Sequence, residues 1–119
     1  MDAQTVKADL ERLTQEDENG DAVIYGYSDG PWSALAYEDY NAEALATALP
    51  YKVEVEATVG GGEGSGEEMY LVLKTTDGES VQYFRKDGYY ASFDGSNWDG
   101  AFYEVTPTQK TITVYPRKK

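Results

Sequence analysis

In the second half of the chain, apolar and polar residues alternate with a period of two, and this pattern limits the fold more than any other feature. The run YKVEVEATV at 51–59 is the clearest example. Successive side chains of a β-strand point to opposite faces, so an alternating run fits a strand with one buried and one solvated face. The predicted buried side consists of Tyr51, Val53, Val55, Ala57 and Val59.

Further strand signals follow at short intervals along the same half. Tight-turn signals separate several of them, at Asp77-Gly78, at Asp87-Gly88 and in the run DGSNWDG at 94–100. Asp-Gly steps favour the left-handed backbone that hairpin turns require. The pattern therefore predicts a meander of antiparallel strands, in addition to 51–59, at 69–75, 80–86, 89–93, 101–105 and 110–115.

The first half of the chain carries two helix signals. Apolar residues Val6, Leu10 and Leu13 recur at helical spacing and predict an amphipathic helix over 3–14. A second helix is predicted from a cap at Asp39 or Asn41 through Leu49, where Pro50 ends it. The predicted buried stripe of this second helix is Ala42, Leu45, Ala46 and Leu49.

Two short runs between these helices are interpreted as strands. The run AVIYGY at 22–27 is β-branched and aromatic, which is typical of a strand. The run WSALAY at 32–37 follows Ser28-Asp29-Gly30-Pro31, a turn signal, and suits the returning arm of a hairpin. A first helical turn at 32–37 remains the alternative.

The predicted fold class is α+β, with an antiparallel sheet of about five to seven short strands and one or two helices packed on one face. Several strands are apolar on both faces, so either the sheet curls into a half-barrel or its second face contacts something. The 119 residues suit a single domain. It comprises a helix-rich acidic half at 1–49, a strand half at 51–115 and a basic tail at 116–119.

Composition excludes several kinds of chemistry. The chain has no Cys and no His, so disulfides, thiolate nucleophiles, an imidazole base and the commonest zinc ligand are all absent. Its net charge is −12, and residues 1–60 hold 13 acidic against 3 basic residues, a net charge of −10. This charge repels nucleic-acid phosphates and attracts basic surfaces. We therefore expect a protein partner with a basic surface and no direct contact with nucleic acid.

The N-terminal run MDAQTVKADLERL lacks the apolar segment of a signal peptide, and no apolar run approaches the roughly 20 residues that span a bilayer. A cytoplasmic protein without a membrane partner is the expectation.

Two loops resemble ligand-binding motifs but fail their requirements. The run GGGEGSG at 60–66 does not match either phosphate-loop spacing, no helix is predicted after it, and neighbouring glutamates would repel phosphate. In DGSNWDG, placing Gly100 at the sixth position of a calcium loop puts Gly95 first and Thr106 last, so both end ligands are lost. Both runs are interpreted as turns, and no metal or cofactor is predicted.

Two regions carry the candidate partner-binding residues, and no spacing among the 22 acidic residues singles out a catalytic pair. The aromatic turn region comprises Tyr89, Tyr90, Phe93, Asp94, Trp98 and Asp99. Within it, Trp98 either folds back to cap the core or projects as a contact anchor. The acidic cluster comprises Glu16, Asp17, Glu18 and Asp21, for which a solvated connector is the alternative.

The strand half resembles a family of small proteins of tailed bacteriophages for which no activity is established. The shared pattern is KVEVEATVGGGEGSGEE, then YFRKDGYYASFDGSNWDG, then EVTP and KTITVY, and it covers roughly the C-terminal half. The resemblance implies a phage setting and transfers no catalytic residue.

We expect a non-enzymatic phage accessory protein in the host cytoplasm that binds a host or phage protein. An inhibitor of a host nucleic-acid-handling or defence system would suit the acidity, because carboxylates can occupy a Lys/Arg groove meant for phosphate. One alternative is a virion-associated or carbohydrate-contacting module that uses the aromatic turn region, with Asp94 and Asp99 accepting sugar hydroxyls. The other is a homodimeric structural protein.

Overall fold

The computed structural model describes residues 1–60, 68–91, 95–108 and 115–118. Within these ranges three short helices precede five strands, so the predicted α+β class is confirmed. The elements are α1 (Ala3–Arg12), α2 (Trp32–Ala36), α3 (Ala42–Ala48), β1 (Lys52–Val59), β2 (Glu68–Asp77), β3 (Ser80–Ala91), β4 (Gly95–Asn97) and β5 (Phe102–Val105).

The strands form one antiparallel sheet that is four strands wide. Strands β1, β2 and β3 lie side by side in chain order. The far edge of β3 pairs with two short strands, β4 through Tyr89 opposite Asn97 and β5 through Arg85 opposite Tyr103. No described strand joins this edge to β1. Among the described residues the sheet is therefore open and does not close into a barrel, and it is four strands wide where about five to seven strands were predicted.

One face of the sheet carries the core. In β2 and β3 the buried residues alternate, and their pairing places Leu73 opposite Phe84 on one side. The helices supply the opposing layer through residues such as Leu10, Leu35 and Leu45. Helices on one face of an antiparallel sheet bury that face and leave the other without a helical layer. We call the uncovered side the outer face.

The two long helix signals are confirmed, with one correction. Helix α1 buries Val6 and Leu10 as expected from their spacing. Helix α3 begins after Asn41, whose side-chain oxygen accepts a hydrogen bond from the Ala44 amide at 3.0 Å. Of its predicted stripe only Leu45 and Leu49 are buried; Ala42 and Ala46 are exposed, because a helix of two turns contacts the sheet along a narrow line.

Neither predicted strand before α3 is formed. Residues 22–27 form isolated bridges, such as the one from Ile24 to Tyr40, because no strand among the described residues runs beside them. Residues 32–36 form α2 instead of a strand. Pro31 precedes that helix with a φ of −83°, which suits a helix start, and Trp32 and Leu35 are three residues apart and both buried.

Two predicted patterns in the sheet are also corrected. A bulge between Val55 and Ala57 shifts the register of β1, so Val59 pairs with Tyr70 of the outer face and is exposed. Strand β3 continues straight through Asp87-Gly88, where a turn was predicted. The Asp77-Gly78 turn is confirmed, with Gly78 at a φ of +61°. The predicted strand at 110–115 lies outside the described residues, except for Tyr115 at its end.

A partly buried hydrogen bond joins α1 to the start of the sheet. The phenol of Tyr51 donates to Asp9 Oδ2 at 2.7 Å, and Tyr51 is only 6% exposed. Burial and then the bond to Asp9 raise the pKa of Tyr51 above its usual value. The folded protein therefore keeps this proton at pH values where the unfolded chain has lost it. Its contribution to stability is complete below about pH 10 and falls as the pH rises further.

Replacing Tyr51 by phenylalanine is expected to lower the free energy of unfolding by about 1 kcal/mol at neutral pH, since one hydrogen bond is lost. The variant should also lose stability less steeply between pH 10 and 12, because wild type loses up to about 1.4 kcal/mol per pH unit from this group. Urea unfolding of both proteins across this range measures the difference. Tyr115→Phe, at a residue that is 89% exposed, is the control. Equal alkaline slopes for wild type and Tyr51→Phe would contradict the assignment.

No helix within the described ranges combines the length and the apolar character needed to cross a membrane.

Candidate functional site

The aromatic turn region does not form one surface. Trp98 is 2% exposed and belongs to the core, so it caps the core and is not a projecting anchor. Pairing with Glu68 places Tyr89 on the outer face, whereas Tyr90, the next residue along β3, faces the opposite side. Tyr89 is 46% exposed and Tyr90 is half-buried. Because the ring of Trp98 is covered, it offers no face on which a sugar could stack.

Of the remaining members of that region, Asp99 lies within the described residues. Asp99 is exposed and lines an open groove beside Trp98. Phe93 and Asp94 lie outside the described residues. A compact surface of tyrosines, Trp98 and both aspartates, as the sequence predicts, is therefore not supported by the described part of the region.

The acidic cluster is exposed, and one of its members also organises the loop. Asp17 Oδ1 accepts hydrogen bonds from the amides of Asn19 at 2.8 Å and Asp21 at 3.0 Å. The side chains of Glu16, Glu18 and Asp21 remain at the surface. Asp17 thus maintains the turn, while its neighbours supply charge to solvent.

Two tyrosines that sequence reasoning assigned to a strand lie next to this cluster. Tyr25 and Tyr27 are 56% and 43% exposed, and their ring centroids are 4.8 Å apart with a tilt of 57°. Their placement follows from Ile24, which is fully buried and whose amide donates to Leu13 O at 3.2 Å. Because Ile24 is anchored in the core, the side chain of the next residue, Tyr25, points outward.

Acidic side chains border this tyrosine pair. The Tyr27 hydroxyl donates to Asp39 Oδ2 at 2.7 Å, and this bond raises the pKa of Tyr27. Glu16 and Tyr25 line the same small depression of about 110 Å³. We call the exposed group of Glu16, Tyr25, Tyr27 and Asp39 the acidic tyrosine surface. The sequence signal that could have found it is the pair of tyrosines two residues apart that flank Gly26.

The acidic tyrosine surface combines exposed aromatic rings with carboxylates. In the part of the chain that the structure describes, no three acidic side chains are grouped closely enough to hold a metal ion. Tyrosine rings are rigid and amphipathic, and they are enriched at interfaces together with charges of complementary sign.

Comparisons with protein families, with curated proteins and with solved structures find no match.

Proposed function

We propose that the protein is a non-enzymatic phage accessory protein that binds a protein partner with a basic surface. The observation that carries this proposal is the acidic tyrosine surface, where Tyr25 and Tyr27 are exposed side by side among carboxylates. The phage setting rests on the resemblance of the strand half. Action in the host cytoplasm is part of the same proposal.

The tyrosine pair supplies the contact area. Tyr25 is more than half exposed, and Tyr27 is held in place by Asp39 before any partner arrives. A side chain that is already ordered loses little conformational entropy on binding, so more of the contact energy appears as affinity. Tyrosines of this kind are typical hot spots.

The charge of the first half selects the partner. Residues 1–60 carry a net charge of −10, and Glu16 is exposed beside Tyr25. Such a surface accelerates encounter with a basic protein and disfavours acidic ones. Host proteins that handle nucleic acid present Lys/Arg grooves, and carboxylates placed there would compete with phosphate. Inhibition of such a host system, including a defence system, is the form of the proposal that we favour.

Alanine at Tyr25 is expected to weaken binding of the partner about tenfold, as removal of one hot-spot ring does. The partner would be captured from host lysate with the full chain at low salt, purified, and titrated against wild type, Tyr25→Ala and Tyr115→Ala. Tyr115 is the matched control because it is 89% exposed and directly precedes the basic tail.

Three results together would support the proposal. The captured protein binds nucleic acid, its affinity for wild type falls steeply as salt rises, and the phage protein displaces nucleic acid from it. Binding that is unchanged by salt, or equally strong for wild type and Tyr25→Ala, would overturn it.

The outer face favours a homodimeric structural protein as the second candidate. Its centre is a set of satisfied polar groups, in which Arg85 lies 3.8 Å from the Tyr70 ring centroid and its Nε donates to Asp87 Oδ1 at 2.6 Å. Tyr103 completes the set by donating to Asp87 Oδ2 at 2.9 Å. Because these polar groups already bond one another, the rings of Tyr70 and Tyr103 remain available to pack against a second copy. A monomer mass in solution by light scattering would exclude this candidate.

A further inference from the structure

A separate groove lies between α1, the loop at 28–30 and residues 97–99. Its volume is about 690 Å³, and it is lined by Lys7, Asp29, Lys86, Trp98 and Asp99, among others. Lys7 and Lys86 also line a smaller cleft of about 190 Å³ beside it. Two lysines from α1 and β3 thus converge at one place in a chain whose net charge is −12.

Lys86 is buried without an opposite charge in contact. It is 5% exposed, its ammonium donates to Gly100 O, and it lies 5.0 Å from the Trp32 ring centroid. Within the described residues no carboxylate lies within ion-pair distance of it. Burial, and then the nearby charge of Lys7, lower the pKa of Lys86. Since a buried cation is stable only when it is compensated, this position favours an anionic group in the groove.

Two residues that line the groove each carry a buried polar atom that lacks a partner among the described residues. The indole N–H of Trp98 is a buried donor without a partner, and the residue as a whole is 98% covered. Asp29 Oδ1 is a buried acceptor, while Oδ2 of the same carboxylate accepts from Ser33 Oγ at 2.7 Å. Buried polar groups are nearly always hydrogen-bonded, so an unpartnered donor and acceptor in one groove indicate a ligand that both accepts and donates.

The charges of the groove restrict that ligand. Glu11, Asp29 and Asp99 line it together with the two lysines, so both signs are present. A phosphate dianion would be repelled by the three carboxylates. A neutral sugar or a single water could bond Trp98 and Asp29 but would bring no opposite charge into contact with Lys86.

We propose that this groove binds a small zwitterion, of which an α-amino acid is the simplest kind. Its carboxylate meets the Lys86 ammonium and the Trp98 indole N–H, and its ammonium meets Asp29 Oδ1. Each of the three side chains then gains a partner of the sign or hydrogen-bonding character that it lacks. The groove adjoins the acidic tyrosine surface, because Tyr27 lines it as well, but neither Tyr25 nor Glu16 does.

The indole N–H of Trp98 is itself the reporter of the test. The chain has two tryptophans, so a ¹⁵N–¹H correlation spectrum contains two indole cross-peaks, and Trp98→Phe assigns them. Glycine, acetate, methylammonium and inorganic phosphate are titrated separately into the full chain. Glycine is expected to shift the Trp98 peak saturably, with a dissociation constant at least about fivefold lower than that of acetate, because only glycine also engages Asp29.

The variants separate binding from folding. Lys86→Met keeps the length of the side chain but removes its charge, and it should abolish the glycine shift while the other backbone peaks report a folded protein. Lys74→Met, on the outer face, is the matched control and should bind glycine as wild type does. The proposal is overturned if glycine causes no saturable shift, if acetate binds as tightly as glycine, if phosphate binds more tightly, or if folded Lys86→Met retains binding.

Discussion

Truncation of Phe84 to alanine is expected to lower the free energy of unfolding by about 3–5 kcal/mol. Phe84 is fully buried in the middle of β3. Its ring stacks on Phe102 of β5 at a centroid distance of 5.6 Å, and Phe102 in turn lies 5.0 Å from Trp32 of α2. The three rings join two strands to a helix, so removal of one leaves a cavity that the others cannot fill without moving whole elements.

Chemical denaturation at neutral pH measures this loss. A domain of this size is usually stable by about 5–15 kcal/mol, so the variant should lose a large share of its stability. Phe84→Leu keeps most of the apolar volume and should cost clearly less. Val81→Ala is the control on the same strand, because Val81 is 46% exposed and its truncation should change stability by less than about 0.5 kcal/mol. Equal losses for Phe84→Ala and Phe84→Leu would mean that buried volume is not what stabilises this position.

The elements that sequence predicted correctly are those in which one signal extends over several turns or residues. The spacing of Val6 and Leu10 is sufficient for α1, and Asn41 caps α3 as expected. The alternation of β1 holds from its start to the bulge after Val55. A long periodic segment can bury one face without assistance from a particular neighbour, so its type is determined locally.

The segment from 22 to 37 was predicted wrongly because its structure depends on its surroundings. A β-branched run becomes a strand only where another strand is available, and Ile24 finds a single bridge to Tyr40. Five residues are too few for helical periodicity to be recognised, so the aromatic content of 32–37 outweighed the spacing of Trp32 and Leu35 in the prediction. The exposed tyrosines of the candidate site lie in this segment, which is why sequence reasoning missed them.

The exposure of some candidate residues could be predicted from the sequence and that of others could not, for a related reason. Exposure of Glu16 and its acidic neighbours follows from their charge, which is costly to bury. Burial of Trp98 follows from the pairing of β4 with β3, which places the indole against Gly88, and no periodic signal in the sequence marks this contact. The sequence does not single out Lys86, because a lysine is rarely buried. In the structure Lys86 pairs with Leu71, and this pairing places it on the core side of the sheet.

Replacement of Gly88 by alanine is expected to lower the free energy of unfolding by about 2 kcal/mol. Sequence reasoning placed this residue in a turn, but β3 is continuous there. A Cβ at Gly88 would lie 2.5 Å from Met69 Cε, 2.8 Å from Asn97 O and 2.9 Å from Trp98 Cε3. The methionine end can rotate away, whereas the carbonyl of Asn97 belongs to the backbone of β4 and must move with it. Overpacking of this kind costs about 1–3 kcal/mol, and the lower entropy of the unfolded alanine chain offsets less than about 1 kcal/mol of it.

Gly78 provides the contrast, because it occupies a real Asp-Gly turn. Its φ is +61° and nothing lies within 4 Å of a Cβ built there, so asparagine, which tolerates left-handed backbone, should fit with little loss. Urea unfolding of Gly88→Ala and Gly78→Asn compares the two Asp-Gly steps directly. A larger loss at Gly78 than at Gly88 would contradict the close packing of β3 against β4 and Trp98. The expected order means that glycine is required at 88 by the approach of a neighbouring strand and a buried ring, and at 78 by backbone conformation alone.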